Sequence, residues 1–368
     1  MMSCFRVSNV DNAIQQVIAR LKDEAKTFWP ECPPSAITIA REFRRPYSTV
    51  YRLALPPRDG STPLESRAGA YVKIFKPSAA NRRNVEKYRQ RLQTEFEVSR
   101  QLQQPFAGKR TVAVVKPLAW FPELLALVTE ETPGRPLAEL IERRCKRWHT
   151  KRELEQTLVQ CYRAGEALAL LQQATSMAAL FNPDELVVYV DKRLQRLEQS
   201  PVAPFAAAQR RQVRDHLVRI ARQCNGMQSG TCGSHGDFGP FNILAGRDHV
   251  TIIDFSMYRS GSIYNDVSYF CQRLESLLHK PTFSVSAIQR LTAEFLRGYN
   301  DGSGRQHDLI EKHALFNAFR IKHLVNNYSA LARNRVGGGS RPGVLVRSFH
   351  RHVFNRYNDF LTRICRPN

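Results

Sequence analysis

The sequence predicts an α+β chain of two lobes, a small β-rich N-lobe and a larger, mostly helical C-lobe. Three observations carry this. A chain of 368 residues is too long for one small core and suits two lobes with a cleft between them. Short apolar strand-like runs gather before residue 131. Long segments of helical period dominate from Leu137 onward. The expected organisation is an accessory helix over 1–30, an N-lobe over 31–131 and a C-lobe over 132–368.

The first helix follows from Ile14, Val17, Ile18, Leu21 and Ala25 recurring at helical spacing, with Asp11 as N-cap and Trp29-Pro30 as its end. Ala36 to Phe43 and Thr49 to Leu55 read as strands joined through Arg44-Arg45-Pro46-Tyr47-Ser48. A polar connection, Pro56 to Arg67, leads to the strand Ala70-Tyr-Val-Lys73-Ile-Phe75. Lys73 interrupts an apolar run, which fits either a solvated strand face or a paired lysine. A helix follows over Ala80 to Gln104, with Tyr88, Leu92, Phe96 and Leu102 as its apolar stripe. Glu95 falls inside that stripe and Glu97 outside it. An inward carboxylate needs a partner, and Lys73 and Arg91 are the two candidates.

Strands at Thr111 to Val115 and Leu125 to Thr129 end at Glu130-Glu131-Thr132-Pro133-Gly134, a turn into the helical region. Helices are expected over Leu137–Arg147, Glu153–Ala174, Pro183–Glu198, Ala206–Cys224, Ala287–Tyr299, Leu309–Ala332 and Val344–Arg363. Arg333 to Gly343, rich in glycine and arginine, reads as a basic surface linker.

The chemistry concentrates between the fourth and fifth of these helices. His235-Gly-Asp237-Phe-Gly-Pro-Phe-Asn242 precedes a polar turn at Gly246-Arg247-Asp248, and Val250-Thr-Ile-Ile-Asp254-Phe255 follows. Two carboxylates and an amide around a hairpin suit phosphoryl transfer. That reaction needs positioning and charge neutralisation more than covalent chemistry from the protein.

The spacing matches the H-x-D-x-x-x-x-N and D-F pattern of the protein-kinase loops, with Gly236 in place of arginine and Ser256 in place of the glycine after D-F. On these residues the chain resembles the aminoglycoside phosphotransferase family, small-molecule phosphotransferases of protein-kinase-like fold whose loop reads H-G-D-x-x-x-x-N. The resemblance runs from about Ala36 to Phe270. It implies Asp237 as the catalytic base, Asn242 and Asp254 as magnesium ligands, and Lys73, held by Glu95, on the nucleotide phosphates. It also implies Glu130 at the adenine hinge, and His235 and Asp266 as supports of the catalytic loop. His235 equally suits a loop-ordering residue and Asp266 a helix N-cap. The expected phosphate loop, Arg44 to Ser48, contains no glycine, so Ser48, Thr49 and the arginines would have to replace backbone contacts to ATP.

Composition bounds the function. The net charge of +22 fits either a solvated surface or an anionic partner, and on the second reading it argues against the polycationic aminoglycosides as acceptors. The expected activity is ATP- and Mg2+-dependent transfer of a γ-phosphoryl group to a hydroxyl of a small molecule or glycan, an anionic sugar or lipid-linked glycan first. Aminoglycoside, choline and homoserine kinases, and a kinase-like nucleotide-binding module without turnover, are the alternatives.

No apolar run spans a bilayer and no signal peptide is evident, so the expected location is the cytoplasm, with peripheral contact at an anionic inner membrane face. Specific nucleic-acid binding is not expected. The 8 cysteines show no ligand-like spacing and read as reduced thiols, Cys232 near the loop included. No G-x-S-x-G is present to support a hydrolase triad.

Overall fold

The computed structural model describes residues 10–29, 37–55, 69–76, 85–224, 230–337 and 344–365. The chain divides into two compact units. The first comprises 1–109, 113–134 and 251–258; the second comprises 110–112, 135–250 and 259–368.

In the first unit, helices α1 (Val10–Asp23) and α2 (Ala25–Phe28) precede strands β1 (Thr38–Arg44), β2 (Ser48–Ala54) and β3 (Gly69–Phe75). Helix α3 (Val85–Phe106) follows, and the chain reaches β5 (Pro117–Phe121) and β6 (Ala126–Glu130) after the short strand β4 (Val112–Val114). One antiparallel sheet runs in the order β1-β2-β3-β6-β5.

Strand alternation sorts this unit's side chains into two layers. Ala70, Val72 and Ile74 of β3 and Ala126 and Val128 of β6 face Ile14, Val17 and Leu21 of α1, forming one core. The opposite face places Phe75 and Leu127 against Tyr88 and Leu92 of α3. Lys73 lies between these alternating positions and therefore shares the α3 face. Burying the apolar stripe of α1 stabilises the unit at roughly 25 cal/mol per Å2 of apolar surface, so α1 is part of the first core. It begins at Val10, one residue before Asp11, the expected N-cap.

Strand β5 has no counterpart in the sequence reading. Pro117 and the following Pro122 bracket it and read as loop. It is an edge strand, where a missing N–H is tolerated, and a register shift lies between Pro117 and Ala119.

The second unit is mostly helical. Strand β7 (Arg135–Pro136) leads to α4 (Leu137–Arg144), α5 (Lys151–Ala174), β8 (Ser176–Leu180), α6 (Pro183–Glu198) and α7 (Ala207–Cys224). Strand β9 (Gly230–Ser234) runs into the His235 loop and β10 (Ile243–Ala245); β11 (Val250–Ile252) carries the chain into the first unit at Thr251, and β12 (Arg259–Ser262) resumes the second. Helices α8 (Tyr264–Glu275), α9 (Val285–Gly302), α10 (Ala314–Gly337) and α11 (Val344–Ile364) complete it. Helix α5 starts with a full capping box, the Thr150 hydroxyl accepting from Glu153 N–H while Glu153 reaches back to Thr150.

Strands β12, β9 and β8 form a small sheet that sequence reading missed. The segments Gly-Thr-Cys-Gly-Ser and Arg-Ser-Gly-Ser carry little strand propensity, and all of β8 is exposed, so no alternation marks them. The expected linker from Arg333 is also corrected: Arg333 to Gly337 continue α10, and its remaining residues, 338–343, lie outside the described ones.

Among the described residues no helix is long and apolar enough to cross a membrane. The six described cysteines are free and buried, and burial pushes the Cys232 thiol up to about 12. Cys4 and Cys32 lie outside the described residues.

Candidate active site

The first unit gathers Lys73, Glu95 and Asp254. Alternation along β3 aims Lys73 at α3, and the Tyr88, Leu92, Val98, Leu102 stripe brings Glu95 round to meet it. The Lys73 ammonium donates to Glu95 Oε2 at 2.9 Å and to Asp254 Oδ1 at 2.7 Å. Of the two partners open to Glu95 in the sequence, the structure selects Lys73.

Burial alone would lower the Lys73 pKa. Two carboxylates within hydrogen-bonding distance outweigh it and hold the ammonium well above its ordinary value. Burial pushes Glu95 upward, and the charge of Asp254 adds to the push, with the Lys73 ammonium opposing both.

Asp254 adopts a left-handed backbone conformation, φ 64° and ψ 67°, costly for a residue with a side chain. Its Oδ1 accepts from the Ser256 hydroxyl at 2.7 Å as well as from Lys73, a local bond of the kind that lets aspartate occupy this region.

Other expected nucleotide residues lie elsewhere in this unit. Thr49 lies in β2 as expected, and Ser48, expected in the loop, opens the same strand, because β2 keeps its register with β3 up to Ser48 opposite Phe75. Both side chains are buried, Thr49 completely, and the connection contracts to Arg45-Pro46-Tyr47, closed by Arg45 N–H donating to Ser48 C=O. The expected phosphate loop is thus a tight turn without glycine. Glu130 ends β6, its carboxylate 3.1 Å from Lys116. The neighbouring Glu131 takes a two-pronged bond from Arg52, at 2.6 and 3.0 Å. A Cβ on Gly69 would lie 1.9 Å from Glu131 Oε2, so any larger residue there would displace the Glu131 carboxylate.

The second unit holds the His235 loop. Asp266, fully buried in the first turn of α8, accepts from the Ser234 hydroxyl at 2.9 Å. It also accepts from the backbone N–H groups of His235 at 2.7 Å and Gly236 at 3.1 Å, and from Asn265 Nδ2 at 3.1 Å. Four donors offset the burial of its charge and tie the loop to α8. Asp266 sits inside the helix, with Ile263 as N-cap, so the simple capping role is excluded. Gly236 takes φ 80°, which permits the turn from His235 to Asp237.

Asp237 is held at both oxygens. Oδ1 accepts from the Tyr269 hydroxyl at 2.6 Å, and Asn242 Nδ2 donates to the Asp237 carbonyl at 2.9 Å and to Oδ2 at 3.4 Å. With its amide nitrogen on Asp237, Asn242 keeps its carbonyl-type oxygen as the atom suited to a cation.

Three residues of this cluster escaped the sequence reading. Tyr269 lies one turn after Asp266 on α8, and that i, i+3 spacing was the available signal. Lys322 and His323 lie on α10: Lys322 donates to Asn265 Oδ1, and the His323 ring sits 2.9 Å from the Asn265 carbonyl and edge-on to Tyr269. Burial, reinforced by Arg259, lowers Lys322 to about 8.

Among the described residues no three His, Cys, Asp or Glu side chains gather as a metal cage. The oxygen donors of Asp254, and separately that of Asn242, are of the kind Mg2+ takes alongside waters and substrate phosphates.

A β-rich unit with a buried lysine–carboxylate cluster and a helical unit with a braced His-Gly-Asp loop define a kinase-like phosphotransferase of small molecules. The model of the phosphotransferase enzyme family matches residues 67–312, and the chain belongs to that family. Solved structures of similar fold include an amicoumacin kinase in complex with AMP-PNP, Ca2+ and Ami. That structure is 15% identical, covers 94% of this chain and 96% of its own, and has a TM-score of 0.52. A choline kinase from Cryptosporidium parvum is 10% identical, with 95% of each chain covered and a TM-score of 0.55. A choline kinase from Streptococcus pneumoniae is 11% identical, covering 95% of this chain and 99% of its own, with a TM-score of 0.51. No curated protein sequence matches significantly.

Proposed function

We propose that this phosphotransferase uses ATP and Mg2+ to phosphorylate a hydroxyl of an anionic small molecule, a sugar or glycan bearing phosphate or carboxylate. The observation that carries the nucleotide half is the Lys73 ammonium buried between Glu95 and Asp254. A cation fixed on two carboxylates is held ready for phosphate oxygens, and an AMP-PNP complex among the fold neighbours agrees with this use.

Asp254 and Asn242 are the proposed metal ligands. When bound, Mg2+ neutralises charge on the β- and γ-phosphates. Asp237 orients the acceptor hydroxyl and takes its proton as the hydroxyl oxygen bonds to the γ-phosphorus. The bond from γ-phosphorus to the bridging oxygen then breaks, and ADP leaves with that electron pair.

The acceptor class is supported by charge. The net +22 sets a positive mean field around the chain, within which Asp237 and Asp266 act on Tyr269 and Lys322 alongside Arg273 and Arg259. Choline is a cation and would meet this field unfavourably. Phosphate transfer from ATP should therefore be detected to sugar phosphates or uronic acids in a panel that also holds free sugars, aminoglycosides and amino alcohols. Turnover confined to the amino compounds would contradict the anionic acceptor while leaving the kinase reading intact.

A further inference from the structure

We infer that a cavity of the helical unit, between α6 and α10, is a binding site for the phosphate or carboxylate group of a small molecule. Its volume is about 550 Å3, within the usual range of small-molecule pockets. Tyr189, Arg193 and Arg196 line it from α6, and Asn326, Ser329 and Arg333 from α10. None of these residues belongs to the lysine–carboxylate cluster or the His235 loop.

Three guanidinium groups line this cavity with no carboxylate partner among the described residues, and Arg193 Nη1 donates to the Tyr189 carbonyl at 3.3 Å. The two later carboxylates of α6 are already engaged, Asp191 at 2.9 and 3.0 Å and Glu198 at 3.2 Å, all on Arg210 of α7. Helix α10 contains no acidic residue. Among the described residues neither Arg193, Arg196 nor Arg333 has an ion-pair partner. The Arg193 guanidinium lies 3.5 Å from the centroid of the Tyr189 ring, which fixes its plane. Burial, with Arg196 and Arg333 adding repulsion, lowers its pKa.

Neutral donors complete the lining. The Tyr189 hydroxyl donates to Asn326 Oδ1 at 3.3 Å, which leaves the Asn326 amide N–H groups for a ligand. Ser329 Oγ is buried with no hydrogen-bond partner among the described residues. A concave set of arginine forks with hydroxyl and amide donors recognises phosphate or carboxylate. A concave volume of this size suits a small molecule.

The test is calorimetric titration of the full chain at constant ionic strength with pyrophosphate, glucose 6-phosphate and glucose. Anionic phosphatidylglycerol vesicles form a separate arm. The proteins are the wild type, an Arg196→Gln/Arg333→Gln double variant, Arg193→Lys and Asp237→Asn. Arg196 and Arg333 are exposed, so the double variant should fold as the wild type does, checked by thermal unfolding.

The expected result is binding of both phosphate compounds and not of glucose, weakened at least about 10-fold in the double variant. Arg193→Lys, which keeps the charge and loses the fork, should also weaken it, while Asp237→Asn binds as the wild type does. Equal affinity in the arginine variants would overturn the inference, as would wild-type binding no tighter than that of chloride. Arginine-dependent binding to vesicles with none to the soluble phosphates would overturn it in favour of a lipid surface. Loss of binding in Asp237→Asn alone would place the anion at the His235 loop instead.

Discussion

The two oxygens of Asp237 rest on different supports, Tyr269 on α8 for Oδ1 and Asn242 in the loop itself for Oδ2. Tyr269 is thereby a positioning residue for the proposed base. Tyr269→Phe removes one hydrogen bond to a carboxylate, worth about 1.5–3 kcal/mol. We expect kcat to fall at least about 10-fold, the acid limb of the pH–rate profile to move upward, and nucleotide affinity to stay unchanged. A lower kcat with an unmoved pH profile would assign Tyr269 to packing alone.

Lys322 gives a stability test. Its pKa is lowered from 10.5 to about 8 by burial first. Between those values the unfolded chain holds more protons than the folded one, so this group makes stability rise with pH, by up to about 1.4 kcal/mol per unit. Subtracting the unfolding free energies of Lys322→Met from those of the wild type over pH 7.5–10.5 should isolate that rise. A flat difference would mean that the ammonium is not buried as described.

At the scale of elements, what the sequence revealed depended on whether a charge interrupted a visible stripe. Glu95 stood out because Tyr88, Leu92 and Leu102 frame it on one face of α3. Lys322 did not, because α10 is buried around most of its circumference and has no clean polar face against which a lysine looks misplaced. Strands β8, β9 and β12 were invisible for want of propensity, and Ser48 was assigned to the connection because β2 starts one residue earlier than the expected strand from Thr49.

The packing of α5 on α9 was equally unreadable. Gly165 and Gly298 let the two backbones approach so closely that a Cβ on Gly165 would sit 2.2 Å from the Phe295 carbonyl oxygen, and one on Gly298 would sit 2.0 Å from that of Tyr162. Backbone cannot yield as a side chain does. Gly165→Ala should destabilise the protein by about 1–3 kcal/mol in denaturant unfolding, despite alanine's better helix propensity. A neutral or stabilising result would show a looser α5–α9 contact.

For the whole molecule, the His235 to Phe255 pattern was legible because phosphoryl transfer demands particular residue types at fixed spacing, and the family match over 67–312 follows it. The acceptor was not legible, since a net charge of +22 states a sign and not a shape. The cavity between α6 and α10 needed the fold, as it joins residues more than 120 positions apart.

The central claim is that Asp237 acts on the acceptor and not on the nucleotide. Its most direct measurement compares Asp237→Asn with the wild type for ATP affinity, in the presence of Mg2+, and for single-turnover phosphate transfer. The account predicts ATP affinity within about two-fold and transfer slower by roughly 10²–10⁴. Unchanged transfer, or loss of ATP binding in step with transfer, would contradict it.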